Sequence, residues 1–490
     1  MTWYQNGTVL AVTIAGIAAY PLAPAVAAST DRADRIELLE KRIDELSDQV
    51  RDLKAGTASK FAESKRSVEA LPSITFKDGR PTFQTADKDF TASLRVLAQL
   101  DSAYYIQDND PIGAANGQDL SSGTNFRRAR FGIEGTFFRS WDYAFTGEFG
   151  GSGAEGNASL QQAWLQWSGW KPLYVRAGAF RPSVGLEDST SSGDTLFLER
   201  SSVSEITSQI AGADGREGAS ITYAPGTADI PGRVFAQLAY TGNKINSNSA
   251  AEFDEQQGAT GRVAGLIYTD PTVNILLGVN GSYAWDLPDA SAGPGSASNV
   301  RFRDRPELRV DGTYLIDTGN LNAQSAYHYG IDGGLNYRSL YAEAGYFRFG
   351  ADRRASSSDP EFSGYYAQGS WVITGEPRRY DSRTASWRVP KVANPVTGGA
   401  DSGWGAWEIA ARYSTIDLND TPGAPGTAST GTNVRGGAQS IYSGILNWYA
   451  NAAVRVGLEY QFVSIDRLSA AGAQIGQDYQ ALAARVQFGF

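Results

Sequence analysis

The sequence predicts an all-β fold, a 16-stranded antiparallel transmembrane barrel behind a short N-terminal periplasmic coiled-coil helix. Three observations predict it. The chain ends in two-residue alternation, with Leu482, Ala484, Val486, Phe488 and Phe490 opposing Ala483, Arg485, Gln487 and Gly489. One face of such a strand suits lipid and the other suits water. The same parity recurs from about residue 90, as in Trp407, Ile409, Ala411 and Tyr413 against Glu408, Arg412 and Ser414, so that the charges share one face. Aromatic residues also gather beside tight turns, as Phe137 and Trp141 do around Arg139-Ser140, and Trp167 and Trp170 before Lys171-Pro172. That placement is the mark of an interfacial girdle.

Taken in order, residues 1–28 read as a secretory signal peptide. Leu10 to Ala19 supply the apolar stretch and Ala25-Val26-Ala27-Ala28 the small residues for cleavage, although Met1 to Gly7 holds no Lys or Arg. Residues 31–55 carry a heptad seam of Ile36, Leu39, Ile43, Leu46, Val50 and Leu53 between charged flanks. The seam favours self-association over the alternative, a helix packed on its own domain. A helix this short is marginal alone in water, which makes it an accessory to subunits joined elsewhere. Residues 56–89, with Pro72 and Pro81, read as a linker, and residues 90–490 as the barrel.

Alternation alone gives 17 candidate strands, whereas a single-chain bacterial barrel has an even number. Treating Glu307 to Asp317 as part of a long outer excursion leaves 16 and places the 28 residues from Glu376 to Gly403 on the periplasmic side.

Composition narrows the function classes. Mean hydropathy is -0.32, and no uncharged apolar run of 18 residues follows residue 30. Ordinary transmembrane helices are excluded, but strands that hide their hydrophobicity in alternation are not. No Cys and one His, His328, leave no nucleophile–base set and no usual zinc site, so neither an enzyme nor a cofactor is expected. His328 lies in an alternating strand and reads as lumen structure. A net charge of -10 argues against nucleic acid as a partner.

Several segments carry a resemblance. Phe126-Arg127-Arg128-Ala129-Arg130, the stretches Gly178 to Arg200, Gly364 to Tyr380 and Trp404 to Ser414, and the closing Phe490 are similar to those of the phosphate-selective porin O/P family. The resemblance covers roughly residues 90–490, and the preceding coiled coil also occurs in relatives. It implies a trimeric outer-membrane porin whose third long loop, here residues 180–213 by position, folds into the channel and narrows it.

For such a pore the chemistry is selective permeation. Arginine suits an oxyanion path because its planar fork stays charged and binds phosphate or carboxylate in a bidentate way. Parity puts Arg95, Arg128, Arg130, Arg176, Arg216, Arg233, Arg412, Arg455 and Arg485 on the lumen side and Arg127 near the outer girdle. The anion-binding candidates are Arg128, Arg130, Arg176, Arg216, Arg233 and Arg412, with Arg181 and Arg200 in the loop. Arg128 and Arg130 stand out because they lie two apart on one face beside a long loop. The competing role for these arginines is strand-to-strand pairing with Asp101, Glu134, Asp142, Glu148, Glu343, Glu408 and Glu459, which share their face. The loop itself carries Glu187, Asp188, Asp194, Glu199 and Glu205, and after Lys88 the barrel holds Lys171, Lys244 and Lys391. Relatives that select phosphate depend on several basic residues at the entry and constriction. Passage of small anions such as phosphate, a general porin, and an added envelope-anchoring role through the coiled coil therefore stay open. The expected partners are outer-membrane lipid, small anions, two further copies in a homotrimer, and the cell wall through the coil.

Overall fold

The computed structural model describes residues 30–490, apart from residues 70, 78, 108–117, 152–157, 227–231, 246–254, 289–298 and 355–357. The signal-peptide expectation lies outside the described residues. The chain divides into two compact units after Leu71.

The first unit is one helix, α1 (Thr30–Glu69), which carries the heptad seam. It runs well past residue 55, because Gly56 is the one Gly in residues 56–69 and no Pro interrupts them, and Pro72 follows its end. The expected linker of residues 56–89 is therefore largely regular. After the helix, β1 (Ser73–Lys77) and β2 (Arg80–Gln84) form a hairpin.

Sixteen strands make the ring in the second unit. On one arc stand β3 (Phe90–Ile106), β4 (Gly123–Phe137), β5 (Trp141–Glu148), β6 (Ser159–Trp170), β7 (Leu173–Phe180), β8 (Arg216–Tyr223) and β9 (Val234–Lys244). The other arc holds β10 (Gln257–Thr269), β11 (Val273–Asp286), β12 (Leu321–Tyr337), β13 (Leu340–Arg353) and β14 (Glu361–Val372). It continues with β15 (Ala406–Asp420), β16 (Val434–Tyr449), β17 (Val454–Asp466) and β18 (Asp478–Gly489). Each strand pairs antiparallel with the next, and β18 pairs with β3 to close the ring. Closure leaves no free edge, the condition for a sheet to sit in hydrocarbon. The seam is tied to the last residue, whose N–H donates to the Val96 carbonyl (3.0 Å) while Val96 N–H donates to the Phe490 carbonyl (3.1 Å). Beyond that point β2 takes over, pairing Thr82 with Ser93 on the edge of β3 that β18 no longer covers.

Outward side chains are apolar and exposed, among them Phe131, Phe145, Leu165, Val279, Leu458 and Val486. Aromatic contacts such as Trp141 on Trp167 (4.9 Å between centroids) and Trp407 on Trp448 (5.8 Å) gather at the rim that carries the chain terminus. We call this rim proximal and the opposite one distal. Among the described residues no helix is long and apolar enough to cross a membrane.

The interior is not an empty tube. A segment of residues 181–215 enters from the distal rim between β7 and β8, carrying helix α2 (Ser202–Ala211). Residues 299–320 lie at the same rim, and residues 373–405 fold in from the proximal rim. All three pack on the arc from β10 to β16. Phe197, Val203, Ile206, Phe302, Ile316 and Trp387 are buried there against Tyr341, Phe347, Phe349, Phe362 and Tyr366. Gly334 leaves room for the Trp387 ring, which would lie 2.5 Å from any Cβ at that position. The inward segments thus build a hydrophobic core against that arc, while Asp142, Gln166 and Arg176 on β5 to β7 stay partly exposed.

Candidate functional site

The residues that narrow the lumen are set by where the inward segments meet the wall. Glu199, on the 181–215 segment, is the hub. Arg127 donates to its two oxygens from Nε (2.7 Å) and Nη2 (2.8 Å), and Arg485 donates from Nη2 (2.7 Å). Arg128 reaches it at 3.5 Å while donating to Gln99 Oε1 at 2.7 Å. Burial alone would raise the Glu199 carboxyl, but the three guanidiniums outweigh it and hold the group well below the ordinary carboxylate range.

Arg127 does not point to the outer girdle. Gln99 pairs with Arg128 while Leu100 pairs with Phe126, so Arg127 is the extra residue of a β-bulge. A bulge resets the alternation and re-aims a side chain, and here it turns two successive arginines inward.

The remaining candidates fall into three groups. Arg130 joins Glu148 (2.5 Å) and Asp214 (2.9 Å), Arg181 joins Asp214 (3.1 Å) and Asp188, and Arg412 joins Glu187 (3.3 Å) and Glu307. All three are neutralised, Arg130 and Arg412 as wall-to-loop clasps and Arg181 within the loop itself. Arg200 and Arg216 are buried and spent on backbone carbonyls, Arg200 on Glu187 and Thr190, and Arg216 on Gly212, Gly242 and Gln209. Arg233 is exposed just before β9 at the proximal rim. Arg176 alone of the set is inward, partly exposed and bonded to a neutral side chain, Gln166. The structure thus brings most of the predicted arginines together, but as partners of carboxylates or carbonyls. His328 is buried in the wall, with Nε2 3.2 Å from Asn280 Oδ1.

Sequence reasoning missed two clusters. In residues 299–320 Arg303 and Arg305 flank the Tyr314 ring, at 4.1 and 4.5 Å from its centroid. Among the described residues neither has a carboxylate within ion-pair distance, and Arg127 and Arg309 are like-charged neighbours of Arg305. Arginine at every second position from 301 to 305 was the available signal. The second cluster fixes the proximal segment. Arg378 binds Glu408 in bidentate fashion (2.9 and 3.1 Å) and donates to the Asp194 carbonyl (3.2 Å), so segments from opposite rims touch inside the barrel.

A closed 16-stranded ring with loops clasped inside it and arginine-rich walls describes a pore. The sequence comparison decides which kind, because the phosphate-selective porin O and P family matches residues 99–490. The chain belongs to that family. It is an outer-membrane porin and not an enzyme. Porin O of Pseudomonas aeruginosa is 25% identical over 406 residues, covering 79% of this chain and 85% of that protein. A Caulobacter vibrioides protein is 24% identical over 441 residues, 87% of this chain and 81% of its own length. Among solved structures, the anion-selective porin from Comamonas acidovorans is similar at 13% identity and a TM-score of 0.46, covering 82% of this chain and all of its own. The trimer form of OmpT from Vibrio cholerae is similar at 10% identity, with the same TM-score and 82% and 99% coverage.

Proposed function

We propose that this porin passes small hydrophilic anions by passive diffusion, as a homotrimer with its proximal rim and α1 in the periplasm and residues 181–215 as its constriction. The observation that carries the anion preference is where guanidinium charge is left without a carboxylate. Arg303 and Arg305 hold such charge at the distal mouth and Arg176 holds it on the proximal wall. Ions crossing the lumen meet these groups and leave again, since no site combines them into one deep well. The exposed seam of α1, with Ile36, Leu39, Ile43 and Leu46 each more than half uncovered, supports association with the same helix of neighbouring copies.

The test is reversal potential in a planar bilayer under a salt gradient, with phosphate then added. Anion preference that falls when Arg303 and Arg305 are both replaced by Gln supports the proposal; cation preference in the unaltered protein refutes it. A second reading, a general porin that only mildly sorts ions, is favoured by the clasps, where Glu148, Asp188, Asp214 and Glu199 answer Arg130, Arg181, Arg127 and Arg128. Phosphate is one of the anions that either pore would pass.

A further inference from the structure

The arc from β3 to β9 carries a polar row that the clasps do not use. Asp142 on β5, Gln166 on β6 and Arg176 on β7 are direct cross-strand neighbours facing inward, and all three are partly exposed. Arg176 donates to Gln166 Oε1 from Nε (3.0 Å) and Nη2 (2.8 Å), and its plane lies 4.0 Å from the centre of the Trp164 ring. Its Nη1 has no partner among the described residues, and no carboxylate there stands within ion-pair distance. Gln166 Nε2 donates to Asp142 Oδ2 (3.2 Å), whose other oxygen accepts from Thr136 (2.8 Å). One position further along β7 and its neighbours, Tyr174, Thr222 and Gln237 add a phenol, a hydroxyl and an amide that are also partly exposed.

This set has one cation and one anion two strands apart, roughly 10 Å at the spacing of a sheet, with neutral hydrogen-bonding groups beside them. A phosphate dianion gains little there, because it wants several cations and Asp142 repels it. A neutral sugar leaves the guanidinium edge unanswered. An amino-acid zwitterion answers both charges and makes no use of the phenol, hydroxyl and amides. Trp164 fixes the guanidinium plane, so the free edge is held ready for a planar carboxylate.

Building on the porin function proposed above, we propose that this row is a subsite for polyhydroxylated monocarboxylates, the chemistry of sugar acids. Arg176 takes the carboxylate, and Asp142 accepts a hydroxyl at the other end. The full-length protein in a planar bilayer tests it, with gluconate, phosphate and glycine added in turn to a chloride solution. Gluconate should half-block the current at a concentration about tenfold below that of either other solute, the factor one charge-assisted pair supplies. Arg176→Gln should raise the gluconate half-block concentration about tenfold, and Arg176→Lys should restore part of it. Equal block by phosphate or glycine overturns the assignment, as does an Arg176→Gln channel that gluconate blocks unchanged. The comparison of solutes on the unaltered protein stands even if a variant does not fold. A chain that conducts no ions at all fails the porin function itself, a result the same recording separates from a conducting pore indifferent to gluconate.

Discussion

Replacing Glu199 by Gln removes one negative charge and keeps the shape at the point where Arg127, Arg128 and Arg485 converge. Stripping one partner from a buried ion pair costs about 3–5 kcal/mol in general. Here the lower end applies, since Arg485 keeps both oxygens of Asp101 and Arg128 keeps Gln99. The barrel should fold and run on a gel as the unaltered protein does. The electrical effect is smaller in energy but directly readable. At about 8 Å from a crossing ion and an effective dielectric of about 40, one unit charge is worth about 1 kcal/mol. That is about fivefold in favour of anions and about fivefold against cations, or about 25-fold in their permeability ratio. Reversal potential across a tenfold KCl gradient reads this directly. The shift should shrink at high salt, because the screening length falls from about 10 Å at 0.1 M to about 3 Å at 1 M. A correctly folded Glu199→Gln channel with an unchanged permeability ratio would refute the placement of this hub beside the ion path.

Four further outcomes follow from the same geometry. Arg128→Ala with Arg130→Ala leaves Glu148 and Asp214 short of a partner, so the pore should turn toward cations in the same reversal-potential assay. Trp387→Ala empties a fully buried site between Tyr341 and Tyr380; the loss of about 3–5 kcal/mol should appear as a lower melting temperature, with higher conductance as the proximal segment loosens. Burial pushes the Asp304 carboxyl up to about 6 despite Arg309 beside it. The folded protein thus holds this proton more tightly than the unfolded chain, and the group's contribution to stability falls as pH rises through 6. Anion preference should increase from pH 7 to pH 5, and Asp304→Asn should flatten that profile. Finally, the chain has no Cys, so a single Leu46→Cys reports on α1 cleanly. Oxidation in membranes should join two copies, and an unlinked monomer band throughout would exclude a shared seam.

The ring was legible because period-two alternation is local. Each strand shows its two faces within ten or so residues, and Phe490 marks the closing one. Arg127 was misplaced because a bulge is a property of two paired strands, and nothing in the Phe126–Arg130 stretch alone announces it. The clasps were hidden for a different reason. Glu199 is 72 residues from Arg127 and 286 from Arg485, so parity could say which arginines face inward but not which carboxylate would meet them. The Glu376–Gly403 segment lies at the rim that carries the chain terminus, and its inward fold depends on the fit of Trp387 to the space over Gly334, a three-dimensional match. Helix α1 ran longer than its heptads because seam residues mark what faces a partner, and Ala, Lys and Glu sustain a helix without them.

The lopsided filling of the interior assigns different tasks to different arcs of the same wall. Aromatic packing from β10 to β16 holds the molecule rigid, and a substitution there risks the whole fold. The partly exposed inward side chains of β5 to β7 carry little of that burden. A lineage could therefore exchange Asp142, Gln166 or Arg176 and drift toward new nutrients while its architecture stayed intact.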